Sequence, residues 1–411
     1  MSEAALYAGT FVTDITPPLE IGLLTSSVKG TYAPFESVRT PLKARVLVLQ
    51  SGTEKVAIVS LDLLSLTDTS VGGWDTFKQG MAGTIPAEKI VLCCTHTHSA
   101  PESGGLTGLY QTDAFKSWIK KIQTNIREAT EIAADKMLPC ELSAGVSLLE
   151  DHAVQRRVKT PEGIVNSDSL QPLDSAIMNG QPVDRRVKWL QLNNKNQHCV
   201  ATVVQAVCHP VHEMCIPRVS ADFPGELCAA LERTGKNGVA LFLNGAAGNI
   251  NPPTVSMGAA YSKAHGMAMA ALVENGSEMF LESPAFSLKQ INIPLSIRNG
   301  SGITNSLDAV ARISLIHFGT SLAVLFLPGE IFVETALEIE RQSPFEQTLV
   351  AGFSENNIGY VPTVKAFEEG GYETGPGKWS FLEQDACERI QEAAIALLQQ
   401  QFYKTDALLV K

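Results

Sequence analysis

The strongest constraint in the sequence is a succession of short apolar runs, each closed by turn residues or by a polar side chain with chemistry to offer. "ARVLVLQ" and "KVAIVSLDLL" flank the turn "SGTE", which is the pattern of a hairpin: two strand-length Val/Ile/Leu segments around a tight polar connection. The strand signal repeats in "KIVLCCT", "VKWLQL", "CVATVVQAVC", "GVALFLN", "FSLKQINIPL", "LAVLFLP" and "TLVAGF". Between the runs, Trp118, Ile119, Ile122, Ile126, Ala129 and Ala133 recur at three- and four-residue spacing. That period predicts a long amphipathic helix over 113–137. "PGELCAALERT", "AAYSKAHGMAMAALVEN" and "DACERIQEAAIALLQQQF" predict three more helices. Hairpins mixed with crossovers imply an α/β fold of mixed β-sheets flanked by helices, not a purely parallel sheet.

The 411 residues, 45% of them hydrophobic, suffice for a large core. No repeat, low-complexity tract or long linker divides the chain, so one domain over 1–411 is expected. A formal net charge of -11, with no Lys/Arg run, excludes a nucleic-acid surface or a polybasic membrane patch, since both need a concentrated positive field. A small-molecule partner fits better. No window reaches the roughly 18 apolar residues of an integral membrane segment, and "MSEAALYAGTFVTDITPP" carries no secretion signal. A cytoplasmic protein is therefore expected, with homo-oligomerisation left open. The eight cysteines include no CxxC pair and read as reduced, buried small hydrophobes. The polar stretch from Asp151 to Asp184 reads as a long loop lying over something.

Residues able to do chemistry gather where the runs end. His96 and His98 follow "IVLCC"; His209 and His212 follow "VVQAVC"; Asn244, Asn249 and Asn251 follow "VALFL"; Glu330 follows "LAVLFLPG"; Tyr360 follows "TLVAGF". Loops beyond the carboxyl ends of strands converge on a common crevice in α/β sheets. On an extended segment, residues i and i+2 point to one side, so His96 and His98 face the same place. Neutral imidazole is a good zinc ligand, and "CHPVH" supplies a further one from another strand. Glu330 after Pro-Gly is expected near a helix start. "LNGAAGNINPP" is a tight polar loop whose N–H groups suit an oxyanion. His152, His198, His265 and His317 have no second ligand near them in sequence and read as structural.

Taken in order, "GTFVTDITPP", "THTHSAP", "CHPVH", "SADFPG", "NGAAGNINP", "PGE" and "NNIGYVPT" resemble the catalytic domain of the neutral, non-lysosomal ceramidase family, zinc amidases that cut the N-acyl bond of ceramide. The resemblance implies a ceramidase-like fold and one Zn2+ per chain on His96, His209, Glu330 and Tyr360. It also implies that His98 contacts the reacting carbonyl and that Arg156, in "VQRRV", lies near the site. Gly248, Asn249 and Asn251 become candidate hydrogen-bond donors to substrate. Two departures stand out. Asn251 occupies the family's serine position, and an amide cannot act as a hydroxyl nucleophile. The sequence also stops soon after the last motif, which implies a single catalytic domain without the family's C-terminal immunoglobulin-like domain.

The leading expectation is a zinc-dependent hydrolase cleaving an amide-type C–N bond by metal-activated water. Esters and lactones are alternative substrates. A barrel-type HxH amidohydrolase, with both histidines on the metal, is the rival within enzymes and would show eight βα units. A zinc-binding protein without catalysis is the rival of another class.

Overall fold

The computed structural model describes residues 5–22, 34–281 and 285–409. Its larger sheet has nine strands: β1 (Leu6–Asp14), β2 (Lys43–Ser51), β3 (Glu54–Leu61), β4 (Ile90–Cys94), β5 (Leu138–Leu148), β6 (Arg186–Asn194), β7 (Cys199–Ala206), β8 (Val239–Asn244) and β9 (Glu278–Phe280). The order is β8-β7-β6-β5-β1-β2-β3-β4, with β9 also paired to β5. The expected hairpin forms as β2 and β3, in register from Ala44 opposite Leu61 to Ser51 opposite Glu54. β3 and β4 are parallel, as are β7 and β8, and the other pairings are antiparallel. A second sheet runs β10 (Phe286–Pro294), β11 (Val310–Phe318), β12 (Leu322–Phe326) and β13 (Gln347–Ala351), the last two parallel.

The layering explains why so many strands lack polar alternation. β4, β8 and β12 are buried almost throughout, because both faces of each sheet are covered. Helix α1 (Asp113–Asp135) lies on β1 and β2 through Phe115, Trp118, Ile122 and Ile126. Its Trp118 indole donates to Ile15 O at 2.9 Å. Each such side chain withdrawn from water contributes about 1.5–3 kcal/mol. Helices α2 (Asp222–Glu232) and α3 (Ala259–Asn275) cover β6 to β8 through Trp189, Phe223 and Phe242. The opposite face of the large sheet meets the second sheet across Leu49, Ile58, Leu190, Val203, Ile316 and Phe326. Helices α4 (Val333–Gln342) and α5 (Ala386–Leu409) close the far side. This is the mixed α/β architecture that the apolar runs imply.

The large sheet curls until its two edges meet. Ser60 Oγ, on β3, donates to Phe242 O on β8 at 2.6 Å, and Asn244 Nδ2, ending β8, donates to Thr95 O beyond β4 at 3.1 Å. Strand ends at opposite edges of the sheet order therefore share one place. Mixed sheets with hairpins replace the eight βα units that a barrel-type hydrolase requires.

Three expectations change. The stretch from Asp151 to Asp184 is not a plain loop: Val154–Gln155 pairs with Ile250–Asn251, and Arg157–Thr160 forms a hairpin with Gly163–Asn166. Glu330 does not start a helix but pairs in parallel with Tyr360, and α4 begins at Val333. Among the cysteines, none of which is in a disulfide, Cys215 is exposed and Cys199 half-buried. Among the described residues, no helix is long and apolar enough to cross a membrane.

Candidate metal centre

Past the end of β4 the chain turns sharply, with Thr95 N–H on Leu61 O and His96 N–H on Leu63 O at 2.8 and 2.9 Å. His96 has φ 69, in the left-handed region. The two histidines thus converge through a turn, not through the pleat of an extended segment. His98 Nε2 ends 3.3 Å from His96 Nε2. From beyond β7 comes His209, and the ligand atoms of His96, His98 and His209 lie within 4.8 Å of one another, all buried. Glu330 Oε2 is 3.2 Å from His209 Nε2 and 3.6 Å from His96 Nε2. The Tyr360 hydroxyl bonds to Glu330, and the pairing of Glu330–Ile331 with Tyr360–Val361 holds the two side by side.

The outer nitrogens separate the imidazoles. His96 Nδ1 lies 2.8 Å from Leu64 O and His209 Nδ1 lies 3.1 Å from Ile250 O. A carbonyl oxygen only accepts, so both Nδ1 atoms carry the proton and both Nε2 lone pairs face the centre. Among the described residues, His98 Nδ1 is buried with no hydrogen-bond partner. Burial pushes the His96 and His98 imidazoles well below their usual range, with Glu330 opposing the shift at His96. It pushes His209 to about 3. Neutral imidazole is the ligand form. Burial raises the Glu330 carboxyl and the Tyr360 phenol, each offset in part by Arg156. At Arg156 itself burial works downward, but Tyr360, Glu373 and Glu330 outweigh it and lock the guanidinium charged.

Arg156 stands over the rings of Tyr360 and Tyr372, at 5.2 and 5.8 Å from their centroids. It donates to Glu373 Oε1 at 2.9 Å and to Gly248 O. Two of the three donors expected in the glycine loop prove to be engaged elsewhere. Gly248 N–H donates to Ile331 O at 2.9 Å. Asn249 Oδ1 accepts from Val333 N–H at 2.9 Å, and its Nδ2 donates to Glu334 at 2.8 Å. Through these bonds the loop clamps the start of α4 behind Glu330. Asn251 is buried, and among the described residues its side chain makes no hydrogen bond.

The structure thus brings His96, His98, His209, Glu330, Tyr360 and Arg156 together. It sends His212 away: Nδ1 lies 2.8 Å from Thr254 O and Nε2 lies 3.0 Å from His265 Nδ1, with the His152 ring 4.9 Å from that of His265. His152 and His265 are therefore companions, contrary to their isolation in sequence. Phe353, stacked on His96, and Glu373, bonded to Arg156 and Arg157, carry no sequence signal.

A curled nine-stranded mixed sheet, a four-stranded partner and a cluster of histidines at the strand ends define the class: the chain has the neutral ceramidase fold. The neutral ceramidase from Pseudomonas aeruginosa matches it at a TM-score of 0.76, over 97% of this chain and 75% of that chain, with 16% sequence identity. A ceramidase complexed with C2 matches at 0.75 over 97% and 76%, again at 16% identity. No protein-family model matches the sequence, and no curated protein matches it.

Proposed function

We propose that the protein is a zinc-dependent hydrolase of an amide-type C–N bond in a small or N-acylated substrate, with the metal on His96, His209, Glu330 and Tyr360. The observation that carries this reading is the difference between the imidazoles. Ligating histidines characteristically donate their second ring N–H to a fixed acceptor. His96 and His209 do so, and His98 does not. Two imidazoles, a carboxylate and a phenol oxygen form an N/O donor set that suits zinc. Zinc held there would supply Lewis acidity and lower the pKa of bound water to about 7. The likeness to two ceramidases supports an amide-type bond.

The protein's own groups then have distinct tasks. Arg156, fixed by Glu373 and its aromatic neighbours, and the Asn251 amide favour negative charge on the substrate carbonyl oxygen as the water oxygen bonds to carbon. His98 takes the proton of that water and returns it to the leaving nitrogen as the C–N bond breaks. With Asn251 in the serine position, water is the nucleophile and no acyl-enzyme forms.

The test is metal analysis of protein purified without added metal, followed by screening against N-acyl amines, cyclic amides, esters and lactones. His96→Ala and His209→Ala should lose both zinc and turnover. Full activity in the zinc-free double variant overturns the proposal, and zinc with no turnover across the panel supports the non-catalytic alternative. A three-histidine ligand set is a second reading, favoured by the mutual proximity of His96, His98 and His209. Loss of zinc from His98→Ala decides for it.

A further inference from the structure

Phe353 has no group for chemistry, yet its ring meets two of the candidate metal ligands. Its ring stacks on the His96 imidazole, centroids 4.1 Å apart and planes at 28°, and presents an edge to His209 at 6.0 Å. Its N–H donates to Gly329 O at 3.1 Å, next to Glu330, and its C=O accepts from Cys94 N–H at 3.0 Å, two residues before His96. The flanking residues are pinned as well. Gly352 N–H donates to Asn244 O at 2.8 Å, and Ser354 N–H donates to Leu327 O at 3.0 Å. A side chain at Gly352 would put Cβ 2.6 Å from Gly245 O, so the strap passes as close to that turn as backbone allows.

Phe353 has φ 51, and its stacking partner His96 has φ 69. Bulky residues in the left-handed region are uncommon and cost on the order of 1–3 kcal/mol each. Two such residues face to face persist only where the surroundings over-determine them. We propose that Phe353 is a positioning residue that fixes the plane of the His96 imidazole. With Nδ1 tied to Leu64 O, one ring face on Phe353 leaves Nε2 a single direction. The inference rests on the zinc reading above and goes beyond it, because an ordinary core phenylalanine would affect stability without affecting the metal.

The experiment strips the protein with a chelator and measures zinc affinity by competition with a chromophoric chelator. The visible spectrum of the cobalt-loaded protein and the thermal midpoint are recorded alongside. Phe353→Leu keeps apolar bulk but removes the flat ring. It should weaken zinc binding about ten- to a hundredfold, the range for outer partners of metal ligands, and should shift the cobalt spectrum. Phe353→Met, which adapts more easily to the space, should act in the same direction and serves if the leucine variant does not fold. Wild-type affinity and an unchanged spectrum in either folded variant overturn the inference, even if the midpoint falls. Failure of the unmodified protein to bind zinc or cobalt overturns the zinc reading instead, a separate result from equality between variant and parent.

Discussion

His96 and His98 begin as equals in the sequence and end with different bonds. The Nδ1 of one is spent on a carbonyl, and the Nδ1 of the other has no hydrogen-bond partner among the described residues. His98→Ala should therefore keep its zinc and lose about a hundred- to ten-thousandfold in rate, as for a general acid–base residue. Single-turnover kinetics with parallel metal analysis check this. The histidine pair was legible because both residue type and strand-end position point to a ligand. The geometric reason was not, since a left-handed residue outside the strand brings them together. Glu373 and Phe353 were invisible because their roles depend on partners far away in the chain. Arg156 was found only through the family resemblance.

The strands and helices were legible wherever a period of two or 3.6 ran long enough, as in the β2–β3 hairpin and α1. The glycine loop was recognised as a tight turn, but its direction was not. Read from sequence, its N–H groups aim at a substrate; in the fold they hold the start of α4. At Gly248 an added Cβ would stand 2.4 Å from Glu330 O and 2.8 Å from Ile331 O. Backbone on that side has no room to yield. Gly248→Ala should displace Glu330 and abolish zinc retention, detectable by metal analysis of the folded fraction. Asn249→Ala removes an acceptor from Val333 N–H and a donor from Glu334. It should cost about 1–3 kcal/mol, the typical penalty for buried polar groups left unpaired, as measured by urea unfolding.

Across the whole molecule, the curl of the large sheet buries charged groups. Asp62, just past β3, accepts from Lys43 N–H at 2.9 Å, and burial lifts it from 3.8 to about 6 against the pull of Arg45. A raised carboxyl favours its protonated form in the fold. Its stabilising contribution is present below about 3.8 and is lost as pH rises through about 6. Asp62→Asn keeps the bond to Lys43 and removes the titration. Its thermal midpoint relative to the parent should therefore rise between pH 5 and pH 7.5. Parallel calorimetric curves for the two proteins would refute this assignment. That such a curl exists was not readable from the sequence, because contacts between strands far apart in the sheet order, such as Ser60 to Phe242, leave no local pattern.

The candidate ligands arrive from beyond strands of both layers: His96 and His209 follow β4 and β7 of the larger sheet, and Glu330 and Tyr360 pair in a short two-stranded ladder that follows β12 and β13. An ion held by all four would be a cross-link between the two layers. Its release should therefore speed amide hydrogen exchange in strands on both sides of the interface together, well beyond the loops that hold it.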